Sequence, residues 1–499
     1  MPESTGATTR ITISPNRPIG QLDPNVFGGF IEHLGRCVYG GIYDEGSPLA
    51  DGHGFRQDVL ELLRELRVGV LRWPGGNFVS NYHWVDGIGP QDERPTRPEL
   101  AWGGVESNRF GTDEYLRYCA ELGTEPYICL NMGTGSLADA LAWVEYCNSS
   151  ADTSWARRRR ANGRDEPYGV RYWALGNEMY GDWQIGALSA EEYVAEATRW
   201  ARAIRVIDPR AKLVACGNHG WDDWDRVVID GLAGLVDLYS VHIYTGSTDY
   251  WTNVLQPHQA ERAISTASTL IRRTAYLHQI AEPPRLAYDE WNVWYREPGG
   301  ALEERYDFAD ALAVATYLNI FVRNCDWVRM ANLAQLVNAI APIVTSAETA
   351  AVQPIYYPIL LHAQAALGVA VDTYVAGPTV GADMLTGTSR WDHRIADLAP
   401  FTLVDASATV GARRDKVAVT MVNRSDETQR VELDLPGAGF GGPARVRTLT
   451  QERSPAGRVL PDVETAVLDE VTEKPYGSSL VLDLPARSFT VLEAPLVTS

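Results

Sequence analysis

Short apolar runs and helix-period segments alternate along the first three-quarters of the chain. Eight runs read as strands: VFGGFIEH (26–33), VGVLRWPG (68–75), EPYICLN (125–131), RYWALGNE (171–178), KLVACGN (212–218), VDLYSVHIY (236–244), PRLAYDEW (284–291) and WVRMANLAQ (327–335). They are rich in β-branched and aromatic residues and end in polar punctuation, as buried strands do. Between them lie segments whose apolar positions recur every three or four residues, such as FRQDVLELLREL, TDEYLRYCAEL, SLADALAWVEYC, SAEEYVAEATRWARAIRVI, ERAISTASTLIRRTAYLHQI and FADALAVATYLNIFV; YYPILLHAQAAL follows the eighth run. Eight strands, each leading to a helix, predict an α/β fold, a (β/α)8 TIM barrel. A doubly wound open sheet is the alternative, but no G-x-G-x-x-G follows the first strand, and GTG at 133–135 follows the third and lacks the last glycine.

The pattern changes near residue 393. Every Trp, His and Cys lies at or before His393, and the remainder holds short alternating runs: KVAVTMVNRS, QRVELDLP, ARVRTLT, SLVLDLP and SFTVLEAP. Period-two alternation broken by Gly and Pro predicts a C-terminal antiparallel β-sandwich, jelly-roll-like. TTRITISPN, near the N-terminus, is strand-like as well. The expected division is a strand at 1–20 that joins the sandwich, a barrel over 21–370 and the sandwich over 371–499.

Polar residues gather at one end of the barrel strands. These ends read Glu32–His33, Arg72–Trp73, Asn131, Asn177–Glu178, His242 with Tyr244, Asp289–Glu290–Trp291, and Asn332 with Gln335. Barrel chemistry sits at the C-terminal ends of the strands, so this one-sided placement predicts a single active-site mouth. Glu178 follows strand four and Glu290 lies at the end of strand seven, across the ring from each other. Two opposed carboxylates, one protonated and one ionised, are what glycoside hydrolysis requires. Asp289, next along the strand, is expected to point to the opposite side of the sheet from Glu290. Trp73, Trp84, Trp102, Trp183, Trp291 and Trp294 follow strands rather than sit in helices, where they either stack on sugar rings or pack beneath loops.

Composition narrows the alternatives. A net charge of −20 argues against a nucleic-acid partner, and the one basic run, Arg157–Arg160, reads as a solvated loop. The N-terminus has no basic stretch followed by an apolar core, and no window approaches the length of a membrane span, so neither a secretory signal nor a membrane partner is expected. Six cysteines (Cys37, Cys119, Cys129, Cys147, Cys216 and Cys325) show no C-x-x-C spacing, which points to reduced thiols in a cytoplasmic protein rather than disulfides or a zinc site. His33 and His242 read as hydrogen-bonding partners of strand-end carboxylates. Neither H-x-H nor H-E-x-x-H spacing occurs, and no metal is expected.

Five stretches carry a family resemblance: FGGFIEHLGRCVYGGIYDEGSPLAD (27–51), LRWPGGNFVSNYHWVDGIGP (71–90), YWALGNEMYGDWQIG (172–186), YDEWNVWY (288–295) and AQLVNAIAPI (334–343). Together they resemble glycoside hydrolase family 51, the α-L-arabinofuranosidases, which combine a (β/α)8 barrel with a C-terminal β-sandwich. The resemblance implies a retaining, exo-acting enzyme that takes terminal arabinofuranose from arabinan- or arabinoxylan-derived oligosaccharides, without a cofactor, and assembles as a homo-hexamer. It makes Glu178 the general acid/base and Glu290 the nucleophile. Asn177 would bond the sugar 2-hydroxyl, and Glu32, Arg72 and Asn77 would form the floor that grips the sugar. Arg72 would also keep Glu290 ionised, Tyr244 would bond the nucleophile, Gln353 (in QPIYYP, where the family pattern has Gln–Thr) would reach the sugar, and Trp102 would line the entrance. The rival readings are an endo-acting glucanase with an open cleft, a non-catalytic carbohydrate-binding protein, and a metal-dependent hydrolase.

Overall fold

The computed structural model describes residues 8–295, 302–388, 394–452, 465–475 and 477–498. Eight parallel strands close into a barrel. In chain order these are Gly28–Phe30, Val70–Trp73, Glu125–Leu130, Tyr172–Leu175, Lys212–Ala215, Leu238–Thr245, Arg285–Val293 and Val328–Ala334. Six fall inside runs expected to be strands, and the sixth and seventh extend past theirs, to Thr245 and Val293. Alternate residues fill the interior: Val70, Tyr127, Cys129, Ala174, Val214, Leu238, Ala287 and Met330 form one apolar plug below the mouth. Their neighbours face outward into the helical shell, where Trp73 stacks on Tyr115 with ring centres 4.8 Å apart. The barrel is thus a packed core on both sides of each strand, as parallel sheets require.

The helices begin where the side chains can satisfy their free N–H groups. Ser136 and Asp139 exchange side-chain bonds at the start of Leu137–Asn148, and Ser189 and Glu192 do the same for Ala190–Ile207. The basic run Arg157–Arg160 departs from expectation. It forms the helix Ser154–Ala161, and Arg159 is fully buried. Its guanidinium donates to the carbonyls of Tyr146, Arg164 and Asp165, so this arginine staples a loop to the preceding helix while its neighbours stay in water. All six cysteines are buried and unpaired. No described helix is long and apolar enough to cross a membrane.

A ten-stranded sheet forms the second layer. It curls around its own core, in which Val404, Ala406, Val417, Val419, Met421, Val431, Leu482 and Leu492 meet. The strand Thr9–Gln21 lies in the middle of this sheet, antiparallel to Val369–Ala376 and parallel to Gln429–Asp434. That parallel pairing is an exception in an otherwise antiparallel sheet. Lys416–Asn423 and Val404–Val410 are buried on both faces. One face looks into the sandwich; the other, with Ala418, Val422 and Phe489, packs on the barrel helices Phe308–Arg323 and Tyr356–Ala365.

A buried polar network fastens this contact. Asn319 donates to Asp405 at 2.8 Å, and its carbonyl oxygen accepts from Ser407 at 3.0 Å and Thr420 at 2.6 Å, with His362 Nε2 at 3.1 Å. Arg323, one turn on, pairs with Asp405 at 2.9 Å. Replacing Asn319 by Ala strips a hydrogen bond from each of four buried partners, at a cost of about 3 kcal/mol. The expected result is a melting temperature several degrees lower by calorimetry; an unchanged melting temperature would show that the network contributes nothing to docking.

Candidate active site

Four strands meet at one buried guanidinium. Arg72 occupies an inward position near the end of strand two, and its carbon lies 4.4 Å from the centre of the Phe30 ring on strand one. One terminal nitrogen donates to Glu290 at 2.8 Å and to the backbone carbonyl of Asp289 at 3.0 Å. The other donates to Asn177 Oδ1 at 2.5 Å. A planar fork with several fixed donors is what lets a single cation reach three oxygens.

Both acidic residues of strand seven face the mouth, which corrects the expectation for Asp289. The pairing slips between Ala287 and Glu290 on one side and between Tyr288 and Trp291 on the other. A bulge of this kind breaks the two-residue alternation and re-aims a side chain. Asp289 accepts from Tyr127 (2.7 Å) and Ser240 (2.5 Å) and lies 3.4 Å from His242 Nε2. Glu290 takes the Arg72 bond and one from the Tyr244 hydroxyl at 2.8 Å. Trp291 then turns outward against Tyr317 and Phe321.

Glu178 reaches the same space by a sharp turn. The chain leaves strand four through Gly176 at φ 79°, where an added Cβ would sit 2.9 Å from Met179, and Glu178 itself is held at φ 43°. A left-handed non-glycine residue at such a place is strain retained for positioning. Its carboxylate lies 3.0 Å from His242 Nδ1 and accepts from Tyr180 (3.3 Å) and Trp183 (3.2 Å). An oxygen of Glu178 comes within 4.8 Å of one on Glu290. Burial alone would raise the Glu178 carboxyl, but the His242 bond and charge, with help from Trp183 and Arg72, hold it below the usual carboxylate value.

These carboxylates open onto a cavity of about 930 Å³. Glu32 and Asn77 line its inner end. Glu32 accepts from the Phe78 N–H and the Trp102 indole, both at 2.9 Å, and from the Gln335 amide at 3.0 Å. Burial pushes its carboxyl up to about 7, against the pull of those donors. Trp102, Trp183 and Trp294 border the cavity, whereas Trp73, Trp84 and Trp291 are buried in packing. The six tryptophans therefore divide evenly between the two roles open to them.

Glu32, Arg72, Asn77, Trp102, Asn177, Glu178, Tyr244 and Glu290 are brought together. Gln353 is not. Its amide donates to the carbonyls of Glu304 (3.0 Å) and Ala341 (2.8 Å) and accepts from the Tyr306 N–H (3.0 Å), so it braces the loops behind the cavity and does not line it. Gln335, which the sequence placed at a strand end without a role, lines the cavity wall, as does Gln259. Arg394 also borders the cavity. It comes from the segment leading into the second layer, and nothing local in the sequence marks it. His33 is buried between Glu106 (2.9 Å) and the Trp73 indole (3.1 Å), away from the cavity.

A second cavity, of about 500 Å³, lies beneath the loop around residues 97–106. Its acids are committed elsewhere: Asp86 to Arg97, Glu106 to His33, Asp139 to Ser136 and Glu99 to the N–H groups at 101 and 102. The opposed pair of carboxylates belongs to the first cavity.

Comparison with known proteins agrees with this geometry. The family model described as alpha-L-arabinofuranosidase 1 domain matches residues 62–262, and that of the alpha-L-arabinofuranosidase C-terminal domain matches residues 289–488. Alpha-L-arabinofuranosidase C of Emericella nidulans is 44% identical over 458 residues, covering 88% of this chain and 89% of the relative. An intracellular exo-α-(1→5)-L-arabinofuranosidase of Streptomyces lividans is 39% identical over 460 residues, covering 87% and 67%. The solved GH51 α-L-arabinofuranosidase of Thermotoga petrophila superposes with a TM-score of 0.88 at 38% identity, covering 97% of this chain and all of that one.

The chain belongs to glycoside hydrolase family 51. As a member of that family it is a glycosidase. Because Glu32 ionises near pH 7, its acceptor strength toward sugar hydroxyls rises through that pH. KM for an aryl α-L-arabinofuranoside is therefore expected to fall as pH rises through about 7 in the wild type and to stay flat in Glu32→Gln; the same slope in both proteins would remove Glu32 from sugar binding.

Proposed function

We propose that the protein is a retaining, exo-acting α-L-arabinofuranosidase. The observation that carries this reading is the Glu178–Glu290 approach of 4.8 Å or less at the base of the cavity. Retaining glycosidases hold their carboxyl groups about 5–5.5 Å apart, and inverting ones need about 6.5 Å or more to admit a water. Glu290, gripped by Arg72 and Tyr244, attacks the anomeric carbon as the bond to the leaving oxygen breaks. Glu178 supplies the proton that oxygen takes up. Glu178 then accepts a proton from water, the water oxygen bonds to the anomeric carbon, and the ester to Glu290 opens to release arabinose.

Asn177, held by Arg72, is in place to bond the sugar 2-hydroxyl, a contact that strengthens in the transition state. Glu32, Gln335 and Asn77 close the inner end of the cavity, which favours a terminal residue over the middle of a chain. The substrates are arabinofuranosyl oligosaccharides derived from arabinan or arabinoxylan. A cytoplasmic location follows from the intracellular Streptomyces relative together with the reduced cysteines. The expected assembly is a homo-hexamer. The catalytic unit is residues 21–370; the leading strand and residues 371–499 form a supporting unit.

Glu290→Ala is expected to lower kcat/KM on p-nitrophenyl α-L-arabinofuranoside by a factor on the order of 10,000, with azide restoring turnover as an arabinosyl azide. Glu178→Ala should slow sugars with poor leaving groups most. Internal cleavage of a β-glucan by an enzyme inactive on the arabinoside would replace this reading with the endo-glucanase one.

A further inference from the structure

We propose that His242 is the resting store of the catalytic proton, and that Glu178 carries it between the imidazole and the glycosidic oxygen. The inference rests on the retaining mechanism proposed above and concerns where its proton resides between turnovers.

Three carboxylates surround this one ring. Nδ1 lies 3.0 Å from Glu178 and 3.6 Å from Glu290, and Nε2 lies 3.4 Å from Asp289. A neutral imidazole carries a single N–H, so with carboxylates at both nitrogens it would set a lone pair against an oxygen anion. An imidazolium satisfies both sides. The other groups around it do not supply a competing proton. Arg72 is committed to Glu290 and Asn177, the Tyr127 and Ser240 hydroxyls donate to Asp289, and burial keeps the Cys216 thiol, just past strand five, neutral. Burial of the ring opposes its charge, but Glu290, Asp289 and Glu178 outweigh it and raise His242 to about 10.

An ionised Glu178 beside a charged His242 conflicts with its task as an acid, and the arrangement of the two resolves the conflict. The space beneath the ring, walled by Arg72, Tyr127, Cys216 and Asp289, has no room for a water. Glu178 is the nearest carboxylate to Nδ1, at 3.0 Å, and it borders the cavity, so the shortest route for that proton to the glycosidic oxygen runs through Glu178. When Glu290 bonds to the anomeric carbon its negative charge is consumed, and with it the largest charge holding the proton on the ring. At that moment the glycosidic oxygen becomes basic. The proton crosses from Nδ1 to Glu178 and on to the departing oxygen, leaving a neutral ring whose Nε2–H still faces Asp289. In the second half-reaction water gives a proton to Glu178 and its oxygen to the anomeric carbon, and the electron pair of the ester bond returns to Glu290. The restored charge draws the proton back to Nδ1, and one water has been consumed per arabinose released.

The test pairs a pH profile with a direct view of the proton. In His242→Gln the alkaline limb of kcat/KM should move down by about one pH unit or more. At pH 8 the loss on an arabinosyl disaccharide should exceed that on the p-nitrophenyl glycoside by about tenfold, and the two losses should converge at pH 5, where solvent protonates Glu178 directly. A merely structural role would lower both substrates equally at every pH. Neutron diffraction of the wild type should place deuterons on both nitrogens of His242 in the resting enzyme, and on Nε2 alone once a 2-fluoro-arabinosyl group is trapped on Glu290. A deuterated Glu178 beside a singly deuterated His242 at rest would overturn the proposal, even if the variant does not fold. Wild type inactive on every α-L-arabinofuranoside would instead sink the proposed function, whereas an active wild type with an unshifted His242→Gln profile sinks this inference alone.

Discussion

A charged guanidinium taken out of water is costly unless its donors find oxygens, and the mouth of this barrel meets most of that demand for Arg72: both terminal nitrogens are bonded, and Nε lies 3.9 Å from Asp289. Its partners come from three places in the chain: Asn177 after strand four, and the Asp289 carbonyl and Glu290 carboxylate on strand seven, with the Phe30 face from strand one closing the stack. Because the cation cannot move without stranding a buried charge, it fixes Glu290 and Asn177, the residue beside Glu178, in one frame. Lysine, a point charge on a flexible stem, would not hold three oxygens in a plane.

Neither Glu178 nor Glu290 stands at a regular backbone position. Glu290 follows a slip in the pairing of strand seven, and Glu178 follows a left-handed turn that it shares with Gly176. Regular strand geometry would have sent adjacent side chains to opposite faces. The irregularities allow Asp289 and Glu290 to share one space, and they bring Glu178 back over His242. Backbone distortion thus converts eight ordinary strand ends into a constellation of three acids, one imidazole and one arginine.

The second layer does more than cover the barrel. Its strands place polar residues opposite Asn319 and Arg323, on the helix that follows strand seven, and so tie the element after Glu290 to a rigid sheet. The segment entering this layer also sends Arg394 to the cavity edge, where its carbonyl accepts from Gln259 and Arg262. The rim of the cavity is therefore built from the barrel and from the segment that enters the second layer.

Much of this was legible in the residues. The alternation of apolar runs with helical periods was enough for the barrel, because strand and helix differ in the spacing of their buried positions, and the polar residues at the strand ends pointed to the mouth. The family motifs named Glu178 and Glu290 by position. Contacts between side chains distant in the chain could not be read that way. Local alternation sent Asp289 outward, since a bulge leaves no mark on hydrophobic period; the arginine run looked solvated, since burial of Arg159 depends on carbonyls that folding brings to it. Gln353 and Gln335 are alike in sequence, and only the tertiary structure decided which of them lines the cavity. The chain's pattern determined which elements form and in what order. Where three carboxylates and a histidine converge was decided by packing, because the energy of a buried charge depends on its neighbours in space.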